Sequence, residues 1–269
     1  MTAEQPATER VLAGWRVLVT RPQHTADTLM ARLQAAGAQA VHVPVLRIEA
    51  LPETAGMRAL AQDLDRCHAV IFTSRHAVQY GAALLARWWP QWPVGLHWLA
   101  VGSTTAGALR EHGITARAPA DARSEGLLAL PALQEVAGQR VLLVTGEGGR
   151  GLLERALAER GATVTRLECY RRLADPDAGA KLDAFRDTRN EGIRSVVLVT
   201  STDALQNLLN AASWLRAQPL PVLCAGDRIA EAARAAGLTR VVAAGGADDE
   251  SLFSALTMLA RNPAGETRT

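Results

Sequence analysis

Residues 16–48, RVLVTRPQHTADTLMARLQAAGAQAVHVPVLRI, decide how the chain is read, because residues 140–173, RVLLVTGEGGRGLLERALAERGATVTRLECYRRL, repeat their pattern. Arg16 falls on Arg140 and Gly37 on Gly161, each 124 residues further on. Two more blocks follow in the same order. AVIFTSRHAVQYGAALL (69–85) matches VVLVTSTDALQNLLNAA (196–212) with Ser74 over Ser201, and HWLAVGSTTAGAL (97–109) matches PVLCAGDRIAEAA (221–233) with Gly102 over Gly226. Three blocks in one order indicate an internal duplication, and a period this long implies paired domains instead of a solenoid.

Within each copy the pattern is strand, turn, helix, strand. RVLVT is a short apolar run, and the residues after it carry Leu29, Met30 and Leu33 at helical spacing, with Gly37 placed to end the helix. HAVIFTS and SVVLVTS read as buried strands that end in Thr-Ser, where a hydroxyl is wanted to cap the next helix. Alternating strands and helices imply parallel sheets covered by helices on both faces. Such sheets bind ligands outside the carboxyl ends of their strands. That rule singles out Thr20–Arg21, Thr73–Ser74, Gly102–Thr105, Thr145–Arg150, Thr200–Ser201 and Gly226–Asp227. Two such edges facing each other would make a cleft rich in hydroxyls, backbone N–H groups and helix N-termini. That chemistry suits carboxylates or phosphates. At any one of these positions, capping alone is the plainer reading.

Bulk composition narrows the classes. A chain of 269 residues is expected to form two domains. A net charge of +2, with Lys181 the single lysine, argues against a nucleic-acid arm. Cys67, Cys169 and Cys224 are far apart and form no CxxC, so they read as buried reduced thiols. The polar start MTAEQPATER does not read as a signal peptide, and no apolar run reaches membrane-spanning length, so a cytoplasmic location without membrane contact is expected.

Several segments invite a sharper reading. GEGGRG (146–151) fits G-x-G-x-x-G after a strand, with Glu168 near the place of a ribose-binding acid. The other copy has RPQHTA there, however, and a glycine-rich turn holding a different anion beside Arg150 explains the same residues. The six histidines show no metal-ligand spacing, so no metal site is expected. The tryptophans of WWPQWPVGLHW (88–98) read as a packed loop. VHVPVLRIEAL (41–51) and VTRLECYRRL (164–173) are longer than one strand needs, and Pro44 suits an edge or linker ribbon. Tyr170, in the second of these, reads by itself as a half-buried packing residue.

Taken together, VLVTRPQ, IFTSRHAV, AVGSTTAGAL, SEGLL, GEGGRGLLERALAERGATV, ECYRR and VTSTDAL, in this order over about residues 15–260, resemble the uroporphyrinogen-III synthase family. The resemblance implies two similar parallel-sheet, three-layer α/β domains joined by a two-stranded β-ladder linker. Duplication alone would put a boundary near residue 138. The family plan instead implies one discontinuous domain, 1–44 plus 172–269, an inserted domain, 48–167, and crossing strands at about 42–48 and 167–173. It also implies a cofactor-independent lyase of heme biosynthesis. The substrate would be hydroxymethylbilane, a linear tetrapyrrole with eight carboxylates, closed with inversion of ring D and loss of water. The expected protein is a monomer, without nucleic-acid or membrane partners, in at most transient contact with the enzyme that supplies the bilane.

Residue by residue, the resemblance assigns Tyr170 to departure of the substrate hydroxyl. Thr73, Ser74, Thr200 and Ser201 match the Thr-Ser positions facing substrate, and Ser103, Thr104 and Thr105 match the element after the Val-Gly strand end. Glu125 matches the acid of the SEGL helix start. Gly146 and Gly149 lie in the glycine-rich turn, Gly226 and Asp227 start a late helix, and Arg21 and Arg150 suit forked carboxylate binding. One departure stands out: Ile229 occupies a place where the family pattern expects threonine. Two rival readings remain, a non-catalytic two-domain ligand-binding protein and a nucleotide-dependent enzyme using GEGGRG.

Overall fold

The structure, a computed structural model, describes residues 10–120, 124–149, 151–188, 192–218 and 220–262, with only the backbone of His24 and Ser124. The strands are β1 (Trp15–Val19), β2 (Gln39–His42), β3 (Leu46–Ala50), β4 (Ala69–Phe72), β5 (His97–Ala100), β6 (Arg140–Gly146), β7 (Thr163–Ala174), β8 (Arg194–Val199), β9 (Val222–Cys224) and β10 (Val241–Ala243). Helices follow nearly every strand. The chain divides into two compact units, one running to Arg47 and resuming at Leu173, the other Ile48–Arg172.

The first unit holds a sheet in the order β2-β1-β8-β9-β10, with every adjacent pair parallel. The second holds β3-β7-β6-β4-β5, parallel from β7 to β5. Apart from β3, the two orders correspond. Each sheet takes two strands from one copy of the duplicated sequence and its remaining strands from the other copy. The equivalent of β10 in the second unit shrinks to one parallel bridge, Leu99 to Arg117.

β3 and β7 carry the chain between units. Leu51 N–H donates to the Cys169 carbonyl and Asp175 N–H to that of Val45, so one strand advances as its partner retreats, which is antiparallel pairing. Pro44 lies just outside this ladder, between β2 and β3, where its missing N–H breaks no sheet bond.

Strand alternation fills both faces of each sheet. On β1, Leu18 packs into one cluster and Val17 and Val19 into another. On β4, Val70 and Phe72 face one side, Ala69 and Ile71 the other. β6 alternates in the same way, Leu142 and Val144 against Val141 and Leu143. Two apolar faces per sheet require helices on both, which makes each unit a three-layer α/β/α sandwich. Among the described residues, no helix is long and apolar enough to cross a membrane. Nor do any form a cluster of three or more side chains able to hold a metal ion.

Candidate active site

In both sheets the strand order reverses beside the central strand, between β1 and β8 in the first unit and between β6 and β4 in the second. The carboxyl end of such a reversal leaves a crevice that ligands use. The expected residues fall at these edges: Thr73, Ser74 and Gly146 in the second unit, Arg21, Thr200 and Ser201 in the first.

The second unit concentrates its polar chemistry there. β4 ends at Phe72, and Ser74, in extended conformation, caps the short helix Arg75–Ala77 by accepting the Ala77 N–H at 3.0 Å. Beyond that turn the helix widens into a π segment, Val78–Ala82. Thr73 Oγ1 lies 3.1 Å from Thr145 Oγ1, tying the ends of β4 and β6 together.

Tyr170 reaches this edge through an irregularity in β7. Pairing with β6 runs Thr145 to Glu168 and then Gly146 to Tyr170, skipping Cys169. Regular alternation would send neighbouring residues to opposite faces. The bulge instead puts Leu167, Cys169 and Tyr170 into one cluster and re-aims the phenol. The ring lies over Gly146: a Cβ there would meet Tyr170 Cζ at 2.6 Å and Oη at 3.0 Å, so the glycine leaves the space the ring occupies.

The phenol is buried, at 1% exposure, unlike the half-buried side chain its sequence position suggested. Its oxygen lies 2.9 Å from Ser74 Oγ and accepts from Arg172 Nη2 at 2.9 Å. The His76 and Tyr80 rings stand 5.5 and 6.1 Å away. A guanidinium only donates, so the phenol oxygen accepts from Arg172, and between the phenol and the Ser74 hydroxyl either group can be the donor. Beside it, the Cys169 thiol is pushed up to about 12 by burial and stays protonated at neutral pH.

Other expected residues sit differently. Arg21 is 7% exposed and pairs with Asp249 at 2.5 Å while donating to the Thr25 and Ala247 carbonyls. Its fork is thus taken by a carboxylate 228 residues away in sequence, and the structure gives it a packing role. Ser103 and Thr104 are exposed at the start of the helix Ser103–Glu111, whereas Thr105 is buried. Ile229 lies 124 residues after Thr105 and is also buried, in the core of the first unit. An inward-facing position accepts isoleucine, at the cost of any hydrogen bond a threonine hydroxyl would make there.

Glu125 is exposed in the helix Ser124–Leu128. Gly226 takes a positive φ before the helix that opens with exposed Asp227. Ser201 caps its helix by accepting the Ala204 N–H, and half-buried Thr200 precedes it. Arg150 lies outside the described residues.

The glycine-rich turn is built around Arg166, which donates to the Gly146 and Gly148 carbonyls and pairs with Glu154 and Glu168, each at 2.7 Å. Glu168, the residue in the place of a ribose-binding acid, is therefore occupied by an arginine, and two carboxylates flank the turn. That charge pattern disfavours a pyrophosphate. Gly149 has a positive φ, open to glycine at no steric cost.

Sequence reasoning missed Arg172. It was legible only as part of ECYRR, and nothing in spacing shows that a bulge carries Tyr170 to a position where Arg172 meets its hydroxyl. The two copies also differ at the point of interest. The 124-residue shift places Leu46 on Tyr170, and Leu46 is a core residue of the first unit. Only the second unit carries the phenol.

A two-unit α/β protein with parallel sheets and a polar cluster at a strand-order reversal is the class that fold and site define. Solved structures share this fold: a mutant uroporphyrinogen III synthase from Thermus thermophilus aligns with TM-score 0.62 at 23% identity, covering 94% of this chain and all of that one. The Helicobacter pylori 26695 uroporphyrinogen-III synthetase aligns with TM-score 0.63 at 14% identity, covering 91% and 99%. The family model described as uroporphyrinogen-III synthase HemD matches residues 11–254. Uroporphyrinogen-III synthases from Salmonella typhimurium and Escherichia coli K12 are 38% and 36% identical over 249 and 251 residues, covering 89% of this chain and 99% of each relative. The chain belongs to the uroporphyrinogen-III synthase family.

Proposed function

We propose that this chain is a cyclising hydro-lyase that converts hydroxymethylbilane to uroporphyrinogen III. Family membership over nearly the whole chain carries the activity, and the bonded Ser74–Tyr170–Arg172 cluster carries the site. The reaction removes water and rearranges carbon–carbon bonds with no net change of oxidation state, so it calls for no electron carrier.

The first step breaks the C–O bond of the terminal hydroxymethyl group. The electron pair leaves with oxygen, the pyrrole nitrogen supplies the compensating pair, and a proton must reach the departing oxygen. Tyr170 is the proton source. Ser74 is the less buried end of the pair, and its hydroxyl can hand its own proton forward while taking that of the phenol. The azafulvene so formed is attacked by the substituted carbon of ring D. The resulting spiro-pyrrolenine fragments and recloses through the free α-carbon of ring D with the ring inverted. That carbon then loses its proton, which restores the aromatic pyrrole and balances the proton given to the departing water. Because the free bilane closes without inversion, holding the substrate in one reactive shape is the main catalytic task.

Thr73, Ser103 and Thr104 in the second unit and Thr200, Ser201, Gly226 and Asp227 in the first, at the carboxyl edges of the strands, are the proposed contacts to the substrate, and Gly146, Gly149 and Glu125 are proposed with those of the second unit. A cytoplasmic place of work fits the free thiols. The test is a coupled assay: hydroxymethylbilane is generated in situ, the protein is added, and after oxidation the type I and type III porphyrins are separated. Predominantly type III product supports the reading, and type I alone, with folded protein, refutes it.

A further inference from the structure

Arg172 is exposed on β7, two residues beyond Tyr170 and on the same side of the strand. Its Nη2 donates to the Tyr170 oxygen, and its guanidinium carbon lies 5.2 Å from the phenol ring centre. Neighbouring arginines are neutralised by the chain's own carboxylates, Arg166 by Glu154 and Glu168, Arg171 by Glu49. Among the described residues, no carboxylate pairs with Arg172. A guanidinium presents its N–H donors in a planar fork. One is used on Tyr170, and among the described residues none takes the remainder of the fork.

We propose that Arg172 receives a carboxylate of the substrate and couples that contact to Tyr170. The inference rests on the synthase reading and adds a residue to it. Because the guanidinium can only donate, the phenol oxygen facing it accepts, and the phenol proton is reserved for the Ser74 side. As that proton leaves, negative charge grows on the oxygen. The bond from Arg172 then strengthens at the moment of reaction more than in the resting state, which is the condition for an effect on rate. A carboxylate held on the open part of the same fork fixes the plane of the guanidinium, and with it the direction of the N–H that serves Tyr170.

The test is a double-mutant cycle of Arg172→Gln and Tyr170→Phe, read as KM and kcat for bilane conversion, with Arg172→Lys as the conservative variant. Thermal unfolding checks that each variant is folded, which an exposed position permits. Arg172→Gln is expected to raise KM about 2- to 5-fold, the size of an exposed ion pair. It should lower kcat about 10- to 100-fold, the size of a charged hydrogen bond. In the Tyr170→Phe background the KM effect persists and the kcat effect disappears. Arg172→Lys recovers KM more than kcat. An unchanged kcat, or the same kcat loss with and without the Tyr170 hydroxyl, overturns the coupling, and an unchanged KM overturns the carboxylate contact.

Failure of the synthase reading shows separately, as type I product from the unmutated protein. In that event, binding of uroporphyrin, a stable eight-carboxylate tetrapyrrole, followed by tryptophan fluorescence decides the carboxylate contact. Equal affinity for the unmutated and Arg172→Gln proteins overturns it, and weaker affinity for the variant supports it.

Discussion

Replacing Gly146 by alanine tests whether the phenol's placement depends on a missing side chain. Gly146 is not among the positive-φ glycines, so alanine meets no backbone penalty there. The cost comes from the ring. The new Cβ would stand 2.6 Å from Tyr170 Cζ, 2.7 Å from Cε2 and 3.0 Å from Oη. Ordinary contact needs about 3.5–4.0 Å between carbons, so the ring must retreat by about 1 Å. It has little room to do so, being buried in the same cluster as Val78, Phe72 and Cys169.

Overpacking of this kind costs about 1–3 kcal/mol. For a unit of this size that corresponds to a Tm lowered by about 3–12 °C. A displacement of about 1 Å would also move the hydroxyl off Ser74 and Arg172, and misplacement on that scale costs about 100-fold in rate. Differential scanning calorimetry and the coupled isomer assay read both quantities. Gly146→Ala with unchanged Tm and unchanged turnover would refute the placement of Tyr170 against β6. Lower stability with unchanged turnover would refute the role of the hydroxyl alone.

Three further outcomes are expected. Tyr170→Phe should slow turnover and leave the type III to type I ratio intact, as judged by chromatography; loss of isomer selectivity at retained rate would contradict the proton-source role. Arg21→Met should destabilise the first unit by about 1–3 kcal/mol, because half-buried Asp249 loses its charged partner, without raising KM for the bilane; a raised KM in protein that remains folded would restore Arg21 to the substrate. Burial raises the Cys67 thiol and pushes Cys169 and Cys224 up to about 12 and 11, so a thiol reagent at pH 8 should titrate these groups far more slowly in native than in unfolded protein. Because these thiols bind their protons more tightly when folded, their contribution to stability is intact below the unfolded thiol pKa, near 9, and declines as pH rises towards about 12. Rapid modification of Cys169 and Cys224 in the native state would show that these two thiols are not buried as described, whereas Cys67 is only half-buried.

Much of the architecture is legible in sequence because it is set locally. Apolar runs such as VLLV and VVLV, helical spacing after them, and Thr-Ser at strand ends depend on neighbours within a few residues, and the duplication exposes the same pattern twice. The strand-end rule also finds Thr73, Ser74 and Gly146 without any structure. What the tertiary structure decided depends on partners distant in the chain. It distributed the strands of the two copies across both sheets, an arrangement that local periodicity cannot register because each strand has the same pattern in either sheet. It committed Arg21 to Asp249, although the residue reads as a free carboxylate receptor. It introduced the β7 bulge that turns Tyr170 onto the face of Cys169 and brings its hydroxyl to Ser74 and Arg172. A one-residue slip in strand pairing exchanges the faces of a strand, and only the packing of Gly146 beneath the ring and the ladder between β6 and β7 determine that slip.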